Sequence, residues 1–308
     1  MRSPSGATPG MNSASTPSGH DNRLRVLADY WALTKPEVNF LILITTFAGF
    51  RLSYHAGQQF NVLLLCQTLV GTMLVASGTA VLNQFMERKS DGQMRRTARR
   101  PLPAGRIKSS QALLFGISLA AVGGIDLALW ANLLASFLAL LTLAIYLVIY
   151  TPLKRKTPFC TLVGAIPGAM PPLIGWAAAQ CSLSREAMIL YAVVFLWQFP
   201  HFMAIAWMYR EDYARAGYLV LPQDARRDRF VVWQLVLPSV ALVPVSLAPS
   251  LLSHGGLVYF LGTLVLGSGY LWCAIDLAFH RSNMLARRLL LASLVYLPSV
   301  FLLLLTNI

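Results

Sequence analysis

Three oxygen-bearing side chains recur at four-residue intervals at the end of a long apolar stretch. They are Asn83, Glu87 and Asp91. On a helix each such step drifts only about 40° around the axis, so the three side chains share one face. Mg²⁺ prefers hard oxygen ligands and is usually held by one or two carboxylates together with substrate phosphates and water. The spacing therefore indicates a site for a divalent cation.

An arginine cluster follows this acidic face directly and contains Arg95, Arg96, Arg99 and Arg100. The planar guanidinium group suits phosphate oxygens, so acids beside arginines provide the charges that a metal-bridged diphosphate requires. The alternative is a solvated helix end whose arginines face lipid head groups. The spacing of the acids favours the diphosphate site.

Two later segments carry candidate groups for the same cation and anion. Lys154, Arg155 and Lys156 could neutralise a diphosphate, although a bare run of basic residues is more often a topological anchor. Asp212 follows a later apolar span and would supply a second metal carboxylate that faces the first motif. The neighbouring Glu211 is expected to be solvated.

A histidine interrupts that later apolar span. Ionisable residues within membrane spans are rare and are functional candidates. His201 could ligate a haem iron or relay a proton. The alternative is a histidine that is hydrogen-bonded in the interior of the bundle.

Composition identifies the elements that must position these residues. Of the 308 residues, 56% are hydrophobic and only 12% are charged, about half the charged share of a soluble chain. This composition argues against a disordered chain and against an ordinary soluble enzyme. A bilayer span needs about 20 apolar residues, and nine such stretches occur. They cover residues 38–55, 61–85, 111–130, 132–151, 160–180, 187–208, 231–250, 256–279 and 289–306.

The basic residues predict the orientation of these spans. With the N-terminus in the cytoplasm, 23 of the 25 lysine and arginine residues lie on the cytoplasmic side, as the positive-inside rule requires. The C-terminus then lies outside. The net charge of +13 is largely topological and implies no nucleic-acid partner.

We expect a disordered cytoplasmic tail over residues 1–27 and a single membrane domain over residues 28–308. The fifth span is rich in proline and is expected to be bent or broken.

The motifs resemble the UbiA superfamily of membrane prenyltransferases, and within it the branch that farnesylates haem. The superfamily's first motif, an Asn followed by two acids at four-residue steps, matches Asn83, Glu87 and Asp91. Glu87 stands where Asp is common. The extension typical of the haem branch matches Met94, Arg96, Thr97, Arg100, Pro101 and Leu102. The segment 197–217 also resembles that branch, because it lacks the repeated Asp of quinone-type members.

The resemblance implies an all-α, nine-helix UbiA-type bundle in a bacterial inner membrane. It implies transfer of a farnesyl group from farnesyl diphosphate to a vinyl group of haem b, with Mg²⁺ held by Asn83, Glu87, Asp91 and Asp212. Haem b would be a substrate and not a cofactor. A haem A synthase or an oxidase assembly protein is implied as a further partner. The implied catalytic residues are Asn83, Glu87, Asp91, Arg96, Arg100 and Asp212, and the implied substrate-binding residues are Lys154, Arg155, Tyr150, His201, Arg210 and Tyr209.

Three alternative functions share parts of this pattern. A UbiA-type enzyme could prenylate an aromatic or quinone precursor. A transporter of anionic amphiphiles would also have lysine and arginine residues at the entrance to the bundle. Such proteins usually contain two repeated halves with interrupted helices, and we see no such internal repeat in this sequence. A non-catalytic assembly factor for a haem-copper oxidase would not need the acidic motif.

Overall fold

The computed structural model describes residues 19–54, 58–221, 229–251 and 256–306, and all regular elements in these ranges are helices. In chain order they are α1 (Gly19–Leu33), α2 (Pro36–Leu52), α3 (Val62–Asp91), α4 (Ser109–Ala131), α5 (Leu133–Leu153), α6 (Cys160–Gln180), α7 (Arg185–Met208), α8 (Arg210–Arg215), α9 (Arg229–Leu251), α10 (Leu257–His280) and α11 (Asn283–Leu305).

The nine predicted spans are all present as helices. Eight of them have 21 to 30 residues and are apolar enough to cross a membrane. The ninth, α2, has 17 residues, the lower end of the length that spans a bilayer. Asn132 alone separates α4 from α5, and its side chain caps α5 by accepting from the N–H of Ala135. The predicted break in α6 is confirmed at Ala169, two residues after Pro167.

The broken α6 packs against α2 at very short range. An added Cβ at Gly175 would lie 2.0 Å from the carbonyl oxygen of Thr46, and one at Gly49 would lie 2.1 Å from the carbonyl oxygen of Pro172. Small residues at such crossings let two backbones approach closely, which is how apolar helices gain packing contact inside a membrane. The pair of glycines therefore fixes α2 against α6.

Gly175→Ala is expected to lower the free energy of unfolding by about 3 kcal/mol, because a side chain at this crossing overpacks the interface. Gly269→Ala is the matched control, since a Cβ at Gly269 meets no atom within 4 Å. That control is expected to be neutral or stabilising, because alanine is favoured over glycine within a helix. Unfolding by denaturing detergent in mixed micelles measures both. Equal stability of the two variants would contradict the close crossing.

The expectation of a disordered tail over residues 1–27 is wrong for residues 19–27, which form the first part of α1. Residues 1–18 lie outside the described residues. Packing explains the order of α1: Leu33 is fully buried, and Gln84 Nε2 donates to its carbonyl oxygen at 2.6 Å. Asp29 also receives two charge-assisted bonds of 2.9 Å from Arg106. These contacts tie α1 to the end of α3 and to the loop between α3 and α4.

Candidate functional site

The last turns of α3 carry the three residues of the predicted acidic face. Because α3 continues without a break to Asp91, the four-residue spacing places Asn83, Glu87 and Asp91 in successive turns. Their exposed fractions are 1%, 9% and 1%. Carboxylates are seldom so buried unless they are paired or bind a metal, so each must have a partner.

Both carboxylates are paired with a base that the sequence singled out. Lys154 Nζ lies 2.9 Å from Glu87 Oε1, and Arg100 Nη1 lies 2.9 Å from Asp91 Oδ2. Lys154 belongs to the basic run after α5, and Arg100 to the arginine cluster after α3. Two motifs that are far apart along the chain thus meet at the end of α3.

A third base reaches the acidic face from the start of α2. Lys35 Nζ donates to Asn83 Oδ1 at 3.5 Å, while Asn83 Nδ2 donates to Thr151 Oγ1 at 3.1 Å. Burial, together with the positive charges of Arg100 and Lys154, lowers the pKa of Lys35 to about 8. Two of the groups that lower this pKa are positively charged, so an anion bound here would raise it and favour the ammonium form of Lys35.

The loop between α3 and α4 connects the first acidic motif to the second. Its Thr97 Oγ1 donates to the carbonyl oxygen of Asp91 at 2.8 Å, which closes the turn after α3. The backbone N–H of Arg96 donates to Asp212 Oδ2 at 3.3 Å, and the Arg96 guanidinium lies 4.7 Å from the centre of the Tyr209 ring. Asp91 and Asp212 therefore lie at the same end of the bundle.

Asp212 is buried in the short helix α8 and is also paired with a base. Its exposed fraction is 8%, and Arg215 donates to its Oδ1. Amide and carboxylate oxygens are the ligands that suit Mg²⁺, so the donor chemistry of Asn83, Glu87, Asp91 and Asp212 fits that ion. In the described ranges, no three His, Cys, Asp or Glu side chains come close enough to form a metal cluster. Each acid is instead paired with a base.

A cleft of about 300 Å³ opens beside the acidic face. Arg155 lines it and donates to Ser90 Oγ, while the Tyr150 ring centre lies 4.7 Å from Lys154 Nζ. The Tyr218 hydroxyl oxygen is buried and lies beside Ser90 and Glu87. The lining residues are Met86, Glu87, Ser90, Thr151, Pro152, Arg155, Lys156 and Tyr218. The cleft thus combines two basic side chains, hydroxyl groups and a carboxylate.

Two of the predicted residues point elsewhere. His201 Nδ1 lies 2.7 Å from Ser293 Oγ of α11. Arg210 Nη1 donates at 2.7 Å to Asn283 Oδ1 at the start of α11. These contacts place His201 between α7 and α11, and Arg210 between α8 and the start of α11.

Sequence reasoning missed four residues that the structure adds to the site, namely Lys35, Ser90, Thr151 and Tyr218. Lys35 stands immediately before Pro36 at the start of α2, where a lysine is typical of a span anchor. The sequence therefore showed Lys35 as part of the charge pattern, but it did not predict the contact of Lys35 with Asn83. The other three carry no signal in the sequence, because only the packing of α3, α5 and the segment after α8 brings them together.

Comparison with known proteins identifies the family. Residues 42–304 match the UbiA prenyltransferase family. Similar curated proteins include the protoheme IX farnesyltransferases of Solibacter usitatus, 46% identical over 89% of this chain and 97% of that protein, and of Koribacter versatilis, 42% identical over 90% and 92%. That of Salinibacter ruber is 40% identical over 92% of this chain and 99% of that protein.

Solved structures share the fold. A structure described for digeranylgeranylglyceryl phosphate synthase superposes with a TM-score of 0.75 at 18% identity, covering 91% of this chain and 98% of that one. A UbiA homologue from Archaeoglobus fulgidus, solved with DMAPP and Mg²⁺, gives a TM-score of 0.64 at 16% identity, covering 90% and 99%. The sequence match over most of the chain decides the assignment: this protein is a multi-pass membrane protein of the UbiA prenyltransferase family.

Proposed function

We propose that this chain transfers the farnesyl group of farnesyl diphosphate to a vinyl group of haem b, giving haem O and diphosphate. The observation that carries the proposal is the buried acidic face of α3, in which Glu87 and Asp91 are each paired with a base. The names of relatives that are 40–46% identical over most of their length support haem b as the acceptor.

The residues present fit a magnesium ion. Asn83, Glu87, Asp91 and Asp212 would hold it through oxygen atoms. When bound, Mg²⁺ supplies positive charge to the departing diphosphate. The relative from Archaeoglobus fulgidus, solved with DMAPP and Mg²⁺, supports this choice of ion.

The bases of the site bind the diphosphate and stabilise its developing charge. Arg100 and Lys154 lie at the carboxylates of the acidic face, and Arg155 lines the adjacent cleft. Arg96 lies at the junction of the two acidic motifs. Groups that are already oriented toward charge that appears in the transition state lower the barrier, because they need no reorganisation.

The reaction then proceeds between the two substrates. The bond between C1 of the farnesyl group and the diphosphate oxygen breaks, and diphosphate keeps the electron pair. The terminal carbon of the haem vinyl group supplies its π electrons to the allylic cation, and a water molecule adds to the resulting cation and releases a proton. The product carries a hydroxyethylfarnesyl group. The apolar bundle holds the farnesyl chain and keeps other water away from the cation, and His201 orients the porphyrin.

Tyr218→Phe is expected to raise the KM for farnesyl diphosphate about fivefold and to change kcat little, because a neutral hydrogen bond contributes about 1 kcal/mol. The Tyr218 hydroxyl is buried at the cleft, where it would donate to a phosphate oxygen. Tyr296→Phe is the matched control, since that hydroxyl is also buried but belongs to α11, away from the cleft. Steady-state kinetics measure both. An unchanged KM in Tyr218→Phe would remove this residue from the substrate site.

The proposed site lies at the cytoplasmic face of a bacterial inner membrane, with the N-terminus in the cytoplasm and the C-terminus outside. The distribution of lysine and arginine residues supports this orientation, and a single membrane domain over residues 28–308 is part of the proposal. A haem A synthase or an oxidase assembly protein is the proposed recipient of the product.

One assay separates the proposed function from its alternatives. The purified chain in liposomes receives labelled farnesyl diphosphate with either haem b or 4-hydroxybenzoate, and mass spectrometry identifies the product. We expect label in haem, with diphosphate released in equal amount. Label in the benzoate alone would support a quinone-type enzyme. Movement of haem or of the isoprenoid across the bilayer without release of diphosphate would support a transporter, and an inactive chain would support an assembly factor.

A further inference from the structure

The contact between α7 and α11 determines which nitrogen of His201 faces the substrate. His201 Nδ1 lies 2.7 Å from Ser293 Oγ. The same serine oxygen lies 2.6 Å from the carbonyl oxygen of Leu290. A serine hydroxyl has one proton, and a carbonyl oxygen can only accept. The proton of Ser293 is therefore directed to Leu290.

The direction of that proton fixes the tautomer of His201. Because Ser293 Oγ has donated its proton, it can only accept from the ring, so His201 Nδ1 carries a hydrogen. The side chains that contact the ring are uncharged: Trp197 stacks on it at 4.7 Å, Phe202 meets it edge-on at 5.5 Å, and Ser293 accepts from it. An imidazolium would be costly among such neighbours. The neutral ring then carries its lone pair on Nε2.

A rigid frame holds Ser293 in place. Ser293 is fully buried, and Trp197 Nε1 donates to its carbonyl oxygen at 2.9 Å. Tyr270 of α10 donates to the carbonyl oxygen of Trp197, also at 2.9 Å. Three helices thus fix the acceptor of the imidazole N–H. His201 itself is only partly buried, and its Nε2 has no partner among the side chains and backbone groups of the described ranges.

We infer that Ser293 is a positioning residue that holds His201 with Nε2 available to the iron of the haem substrate. The inference rests on the proposed function. Histidines that ligate a metal donate their other ring N–H to a protein acceptor, and this fixes the tautomer and the ring orientation. Tyr209 directly follows α7 and comes eight positions after His201, about 12 Å along the helix axis, so the haem would lie deeper in the bundle than the diphosphate.

Titration of the full-length chain in detergent with ferric haem b, followed by its optical spectrum, tests the inference. We expect Ser293→Ala to weaken haem binding about tenfold, the lower end of the effect of removing such a partner, and to lose the signature of imidazole ligation. Ser293→Thr, which keeps the hydroxyl group, is expected to restore both. His201→Gly is expected to lose the signature and to regain it when imidazole is added.

A control separates positioning from packing. Ser239 of α9 is also buried and donates only to the carbonyl oxygen of Leu235 at 2.7 Å, so Ser239→Ala is expected to bind haem as the wild type does. A wild-type spectrum and affinity in Ser293→Ala, or in His201→Gly without imidazole, would overturn the inference, as would failure of Ser293→Thr. Formation of farnesylated haem by the wild-type chain, measured in parallel, reports on the proposed function separately.

Discussion

Asp91→Asn is expected to lower kcat for farnesyl transfer about a thousandfold, equivalent to about 4 kcal/mol of barrier. Asp91 is 1% exposed, and its only salt-bridge partner in the described part of the chain is Arg100. The amide retains the size of the side chain but removes the negative charge that the proposed metal requires. Product analysis of haem by mass spectrometry, on equal amounts of purified protein, measures the loss.

Glu211→Gln is the matched control for this variant. Glu211 is an exposed carboxylate next to Asp212, so its loss changes the net charge by the same amount without touching the buried face. Near-normal turnover is expected. Turnover within a few-fold of the wild type in Asp91→Asn would contradict the assignment of the acidic face to the metal.

Lys154→Gln is expected to lower kcat about a hundredfold, the lower range for loss of one preorganised group that stabilises transition-state charge. Lys154 Nζ lies 2.9 Å from Glu87 Oε1. In the proposed mechanism this ammonium group faces the leaving diphosphate, and the substitution removes it. Glu87 also loses its partner in this variant, and a buried carboxylate without a partner destabilises the fold. Thermal unfolding must therefore be measured beside the kinetics.

Two further variants separate charge from fold. Lys154→Arg keeps the positive charge and is expected to retain most of the stability and part of the activity. Lys89→Gln removes an exposed lysine of α3 and is expected to leave both unchanged. If Lys154→Gln were destabilised but had a normal kcat, Lys154 would be a structural partner of Glu87 and nothing more.

The spans and the acidic motif were predictable because both depend on local sequence. An apolar stretch of about 20 residues has few structures available in a bilayer. The observed bounds of the eight membrane helices from α3 onward, which exclude the short α8, therefore follow the predicted ones within a few residues at most helix ends. The start of α11 was placed six residues too late, because Arg287 and Arg288 lie in its first turns and resemble a loop. The face of Asn83, Glu87 and Asp91 needed only helical periodicity.

The contacts across the site were not predictable, because they join residues far apart along the chain. Lys35 contacts Asn83 from the start of α2, and Tyr218 reaches the cleft from the segment after α8. The order of α1 was missed for a related reason. Its sequence between residues 19 and 27 is polar and weakly amphipathic, and the salt bridge of Asp29 with Arg106 has no local signal. His201 was singled out by residue type, but Ser293 was not.

Metal binding by the two acidic motifs together is the most direct test of the central claim. Mn²⁺ suits the same oxygen ligands as Mg²⁺. The purified chain is titrated with Mn²⁺, with and without farnesyl diphosphate, and electron paramagnetic resonance measures the concentration of free Mn²⁺. We predict that the diphosphate increases Mn²⁺ affinity in the wild type, and that Asp91→Asn and Asp212→Asn each abolish the increase. Wild-type binding in either variant would contradict a site shared by α3 and α8.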